Sequence, residues 1–240
     1  SPAFLFLTHS HWDHVGTAAY LKGIWPKMKI AGSLESSRIL ARKGALSQIK
    51  ALNQGALEVL RSWGVREIYE GEFKPFPFDV VLEDGQRMEI EKGLTVEIIA
   101  APGHTWDSTA YFIRERKILV AGEAAGCDGV CEFLVDHEAY GASIKLLAAL
   151  DVETLCTAHN FVFTGPDVGT NMTRSIRQVG EYVGQVKRYL KEEKGDVSRV
   201  VARIKTAEWD PKPLPKQPLE AYLINTKTRV RTIQKHMSDL

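Results

Sequence analysis

Thr8-His9-Ser10-His11-Trp12-Asp13-His14 follows directly on the apolar run Ala3-Phe4-Leu5-Phe6-Leu7. Three imidazoles and one carboxylate fall between His9 and His14. A strand that delivers such a cluster into a loop places ligands at its C-terminal end, where the turning backbone lets consecutive side chains converge. His9 and His11, two apart, can point from one face of an extended segment toward one ion. Asp13 and His14 come after the turn begins and can reach a second ion. A surface loop that happens to be rich in His and Asp is the bland alternative, and the local density weighs against it.

The rest of the chain sets bounds on that reading. Its 240 residues can hold one large domain, or a core domain with a smaller appendage. The formal net charge of +1 gives no general pull toward nucleic acid or an anionic membrane. No apolar run approaches the roughly 20 residues of a membrane span, and no signal-peptide pattern is visible. Cys127, Cys131 and Cys156 are an odd number and suggest no disulfide framework, so a reduced, cytoplasmic setting is expected.

Hydrophobic spacing predicts a helix over 16–24, a strand over 27–31, a helix to Leu40 capped by Ser33, and a helix over 45–63. These helices either form a cap over a site or cover one face of a sheet. From Phe78 to Val120 the pattern switches to strands: Asp79 to Leu82, Leu94 to Ala100, Ala110 to Ile113 and Ile118 to Ala121. Glu138 to Leu150 is an amphipathic helix with Asp136 at its N-cap position, and Thr154 to Ala158 is a buried strand. Gly165-Pro166-Asp167 marks a boundary. Beyond it Ile176, Val179, Val183, Val186 and Leu190 form a helical seam closed by Gly195, read as intramolecular packing, with a homodimer as the minority alternative. A Pro-rich connector, Pro211 to Pro218, leads to a last helix over 219–237. The expected organisation is a domain over 1–167 and a helical region over 168–240.

Three further stations lie at or just after predicted strand ends: His104 in Pro102-Gly103-His104-Thr105, Glu123 after Gly122, and His159 after Ala158. A single strand-end His is usually structural, but several together with the opening cluster are harder to dismiss. Of seven histidines only His137 and His236 lie outside these stations.

This order of motifs resembles the metallo-β-lactamase-fold hydrolases, with the glyoxalase II-like branch nearest, over roughly residues 3 to 165. The resemblance implies an α/β fold, an αββα four-layer sandwich with a dinuclear metal site at one edge of its two sheets, followed here by a C-terminal helical appendage. It implies that His9, His11 and His104 hold one metal and that Asp13, His14 and His159 hold the second. Glu123 stands where the family usually has a bridging Asp, its carboxylate displaced by about a bond length. Family members normally carry strands ahead of the first motif, so an N-terminally incomplete version of the fold is expected. Many glyoxalase II-like enzymes have a Tyr two residues after the last His; Phe161 stands there, which argues against a glutathione thioester as substrate.

Imidazole and carboxylate ligands without thiolate suit two divalent ions, with Zn²⁺ preferred and Fe or Mn²⁺ as alternatives. Two ions about 3.5–4 Å apart can share a hydroxide that is nucleophilic at neutral pH. The expected activity is hydrolysis of an ester, thioester or lactone of a small molecule, with Asp13 both binding metal and orienting the nucleophile. Three other readings use similar ligands. They are a phosphodiesterase or nuclease of the same fold, a mono-iron sulfur dioxygenase, and a non-catalytic metal-binding protein. No long basic stretch supports the nuclease. The flavodiiron branch would need Glu in place of His11.

Secondary features are weighed against plainer roles. Cys127 and Cys131 read as loop thiols rather than ligands. Asp128, Asp136 and His137 either line the pocket mouth or serve turns and a helix start. Trp12 and Trp106 either wall the pocket or pack against a sheet edge. Lys227, Arg229, Arg231 and Lys235 on the last helix form either a solvated face or a basic surface for an anionic substrate tail.

Overall fold

The computed structural model describes residues 1–66, 71–126, 131–159, 161–213 and 218–238. They form two compact units interleaved along the chain. The first comprises Ser1–Ala101, Asp107–Gly122 and Asp151–Cys156; the second comprises Pro102–Trp106, Glu123–Leu150 and Thr157–Leu240.

The first unit opens with β1 (Phe4–Phe6), α1 (Trp12–Val15), α2 (Ala18–Ile24), β2 (Lys29–Ser33), α3 (Leu34–Leu40) and α4 (Lys43–Ser62). Next come β3 (Val80–Leu82), β4 (Arg87–Glu91), β5 (Leu94–Ala100), β6 (Thr109–Ile113) and β7 (Ile118–Gly122). Strands β1, β2 and β3 make a parallel sheet, with Leu5 opposite Ile30 and Ala31 opposite Val80. Strands β4 to β7 pair antiparallel in sequence order, Ile98 facing Tyr111 and Phe112 facing Leu119. The period-2 alternation of side chains divides the core in two. Leu5, Leu7 and Ile30 face the helices, where they pack with Trp12, Val15, Ala18, Leu40 and Ile49. Phe6, Ala31 and Leu82 face the other way and pack against Val96, Ile98 and Tyr111 of the second sheet. The early helices therefore cover one face of the parallel sheet, the plainer of the two expectations. Trp12, half-buried, packs against that core.

Several boundaries follow local chemistry. Ser33 caps α3 by accepting from the Ser36 backbone N–H, as its position predicts. The helix expected over 16–24 is α2, which starts two residues later, at Ala18, with Thr17 at its N-cap. Strand β4 was not anticipated: its pattern of charged and apolar residues (Arg-Met-Glu-Ile-Glu) buries only Met88 and Ile90 against the core.

In the second unit, α5 (His137–Ala148) begins at Asp136, whose side chain accepts from the Glu138 and Ala139 backbone N–H groups. Strand β8 (Thr154–Thr157) carries the chain out of the first unit, and β9 (Val162–Thr164) leads into α6 (Pro166–Glu192), started by Pro166 at its first position. Then come α7 (Val197–Ile204), a π-helical turn over Lys205–Trp209, and α8 (Leu219–Ser238). The buried stripe of α6 runs through Met172, Val179, Tyr182, Val186 and Leu190. It is centred on Tyr182, so Val183 lies to one side of the expected seam. Helix α7, with Asp196 as its cap, was not anticipated. Part of the Pro-rich connector, 214–217, lies outside the described residues.

The basic run on α8 is not uniformly either of the two things expected. Arg229 is buried at 4% exposure, donates to the Cys131 carbonyl at 2.6 Å and stacks over the Tyr182 ring. It is an internal cross-link of the helical region. None of the described helices is long and apolar enough to cross a membrane.

Candidate metal centre

Strand β1 ends at Phe6, and a loop from Leu7 leads to His11, whose extended backbone (φ −66°, ψ 150°) precedes α1. His9 is buried, with Nδ1 3.1 Å from the Thr8 hydroxyl. The His9 ring lies 4.6 Å from that of His11 and 4.3 Å from that of His14, centroid to centroid. His14 Nε2 is 3.6 Å from Asp13 Oδ2, and Asp13 is exposed. Neutral imidazoles beside a carboxylate are the donor set that a divalent metal takes.

The backbone under this motif is pinned by residues far away in sequence. Ser10 N–H donates to Asp107 Oδ2 at 2.8 Å, and the Ser36 hydroxyl donates to the same oxygen at 2.7 Å. Asp107 is buried at 2% exposure. The Tyr111 hydroxyl donates to Leu7 O, and Thr109 N–H donates to Thr8 O at 2.8 Å. Gly122 sits at a φ of +54° where a Cβ would come 3.1 Å from Thr8, so the residue before Glu123 must be glycine-like. Sequence reasoning missed Asp107. Its position three residues after His104 was the available signal, but only the fold shows what it holds.

The second unit carries the other three candidates. His104 is buried, and its Nδ1–H donates to the Glu132 carbonyl, which leaves Nε2 as the nitrogen with a lone pair. Gly103 just before it adopts a φ of +128°, and a Cβ there would lie 2.3 Å from the Tyr140 backbone. The Gly103 carbonyl accepts from Leu134 N and Val135 N, so this loop is clamped onto the approach to α5. Glu123 is buried at 4% exposure, and its Oε1 lies 3.1 Å from His159 Nε2. The Tyr140 hydroxyl donates to the Glu123 carbonyl at 2.8 Å. His159 has a left-handed backbone, φ 59°, which costs a non-glycine residue about 1–2 kcal/mol and is a feature typical of ligand positions.

Thus His9, His11, Asp13 and His14 come together in the first unit, and Glu123 and His159 come together in the second. Cys127 and Asp128 lie outside the described residues. Cys131 is buried, and burial pushes its thiol up to about 12, so it stays protonated and inert. Trp106 is 57% exposed and does not pack as a core residue.

The family described as the metallo-β-lactamase superfamily matches residues 2–159. Among curated relatives, a hydroxyacylglutathione hydrolase of Yersinia pestis (strain Pestoides F) is 28% identical over 189 residues, 77% of this chain and 59% of the relative. That of Yersinia enterocolitica is 27% identical over the same shares. The chain therefore spans 59% of the length of these relatives. Among solved structures, a metallo-β-lactamase family protein from Thermus thermophilus aligns with a TM-score of 0.65 at 16% identity, over 98% of this chain and 75% of its own. A β-lactamase domain protein from Burkholderia ambifaria aligns with a TM-score of 0.65 at 15% identity, over 99% of this chain and 69% of its own.

Proposed function

The chain belongs to the metallo-β-lactamase superfamily and has its fold with a helical C-terminal region; from that premise we propose that it is a dinuclear metal-dependent hydrolase of a small ester, thioester or lactone. The observation that carries the reading is the packing of three imidazoles and a carboxylate just after β1. In this proposal His9, His11 and His104 hold one divalent ion. Asp13, His14 and His159 hold a second, and Glu123 serves as the shared carboxylate. Zn²⁺ is preferred, with Fe or Mn²⁺ as alternatives, because the donors are nitrogen and oxygen without sulfur. When bound, the ions supply a water activated at neutral pH and an electrophile for the substrate carbonyl.

The chain's own residues do the rest. The Glu132 carbonyl fixes the His104 tautomer, and Thr8 fixes the ring of His9. Asp107 holds the loop between His9 and His11 through Ser10. Asp13, the exposed carboxylate of the motif, both ligates and orients the attacking water. The names of the curated relatives support thioester cleavage. Phe161 lacks a hydroxyl for a glutathione moiety, which favours a thioester, ester or lactone of a different small molecule.

The test is metal analysis of protein purified without added metal, beside turnover of generic ester and thioester substrates with and without chelator. About two ions per chain and turnover lost to chelator are expected. Less than one ion per chain together with no chelator-sensitive turnover overturns the reading.

A further inference from the structure

The two histidines outside the motif stations turn out to be neighbours, and an acidic residue joins them. Asp136, His137 and His236 each offer a ligand atom, and these atoms lie within 4.8 Å of one another, all inside the second unit. Asp136 divides its labour. Its Oδ1 accepts from Glu138 N at 2.8 Å and Ala139 N at 2.9 Å as the cap of α5, while its Oδ2 lies 3.8 Å from His236 Nε2. On α8, His236 Nδ1–H donates to the Thr232 carbonyl at 2.9 Å, one turn back. That bond assigns the proton to Nδ1 and leaves a lone pair on Nε2, the nitrogen nearest Asp136.

His137 supplies the second, independent observation. It is buried at 7% exposure, and its Nδ1 has no hydrogen-bond partner among the described residues. Leaving such a buried nitrogen unsatisfied is unfavourable. Its ring stands edge-on to that of His236, 4.6 Å between centroids and 86° between planes. Burial, and then the neighbouring His236, hold His137 below the usual imidazole range, so it is present as the neutral ligand form.

An Asp136–His236 ion pair by itself would satisfy His236 and leave the buried His137 nitrogen with nothing. A metal ion satisfies all three side chains at once. Bonds of about 2.0–2.1 Å to a tetrahedral ion place ligand atoms about 3.3 Å apart. The 3.8 Å separation of Asp136 Oδ2 and His236 Nε2 is within side-chain adjustment of that value. The start of a helix weakly repels a cation, which the Asp136 carboxylate offsets.

We propose that Asp136, His137 and His236 form a mononuclear site for an imidazole-preferring divalent metal ion, Zn²⁺ first, that cross-links the start of α5 to the end of α8. The site shares no ligand with the proposed hydrolytic centre and does not depend on that reading. With three protein ligands, a fourth position is left for water.

The experiment uses Zn²⁺ as the probe on the full chain, stripped of metal and checked for fold by circular dichroism. Zinc bound per chain is measured by equilibrium dialysis for the unaltered protein, Asp136→Asn and His236→Gln. Asp136→Asn keeps an acceptor for the α5 cap, and His236 is only partly buried, so both variants fold. The comparison is repeated in a His9→Ala/His11→Ala background, which separates this site from the proposed hydrolytic centre. Each variant is expected to lose about one zinc per chain in both backgrounds, or to bind it about tenfold or more weakly, and to lose the zinc-dependent rise in Tm. Equal zinc content in all proteins overturns the proposal. So does zinc that dissociates at micromolar concentration from every variant alike, which would mean an adventitious ion only.

Discussion

Replacing Asp107 with Ala should test how the metal motif is held more sharply than removing a ligand would. The Asp107 carboxylate receives the Ser10 backbone N–H at 2.8 Å and the Ser36 hydroxyl at 2.7 Å, and all three residues are buried. Hydrogen bonds to a charged group contribute about 1.5–3 kcal/mol each, and truncating their acceptor strands two buried donors. The two bonds share one oxygen and are not independent, so a combined loss of about 3 kcal/mol is expected rather than the full sum. For a chain of this size that corresponds to a fall in Tm of roughly 6–12 °C. Because Ser10 lies between His9 and His11, metal affinity should also fall about 10–100-fold, as for other groups that orient ligands. Asp107→Asn keeps the acceptor oxygen but loses the charge, so it should fall between the unaltered protein and Asp107→Ala in both measurements. The assays are thermal unfolding of the metal-free protein, which isolates the structural part, and competitive zinc binding against a chromophoric chelator. A Tm within about 1 °C of the unaltered protein, with unchanged zinc affinity, would refute the reasoning.

Three further outcomes are expected. Gly103→Ala must leave a φ of +128° and move its Cβ out of the Tyr140 backbone, so it should destabilise by more than about 3 kcal/mol and appear as insoluble protein in expression trials. Glu123→Ala should lower metal content from about two ions to about one per chain, measured by atomic emission; unchanged content would mean that Glu123 is not a ligand. Cys131 should resist alkylation at pH 8 until the protein unfolds. Burial raises its thiol from 9.0 to about 12, so the reactive thiolate, populated only above that value, is about 10³-fold scarcer at pH 8 than for an ordinary thiol. Peptide mass mapping after timed labelling reads this directly.

Much of the first unit was legible in the chain. The apolar runs of β1, β2 and β5 and the cap at Ser33, like that at Asp136 in the second unit, depend on neighbours a few residues away, so local chemistry decides them. Strand β4 was not legible, because only Met88 and Ile90 of its five residues are apolar and its pairing with β5 makes it regular. Val179, Val186 and Leu190 of the expected α6 seam are buried, while Tyr182 takes the inner place expected of Val183, because either is acceptable inside until the neighbouring helices choose between them.

The candidate site divides in the same way. The sequence by itself determined the candidate ligand types: His and Asp at two-residue and one-residue spacings after an apolar strand, and lone histidines after later strands. That is a property of side-chain chemistry and short spacing. Only the tertiary structure decided that Asp107, remote from Ser10, holds the motif loop, and that Arg229 on a basic helix is buried over Tyr182. Only it brought Asp136, His137 and His236 together, since those contacts join residues about a hundred positions apart. Spacing in sequence carries no distance across such a separation; the packing of α5 against the helices after it does.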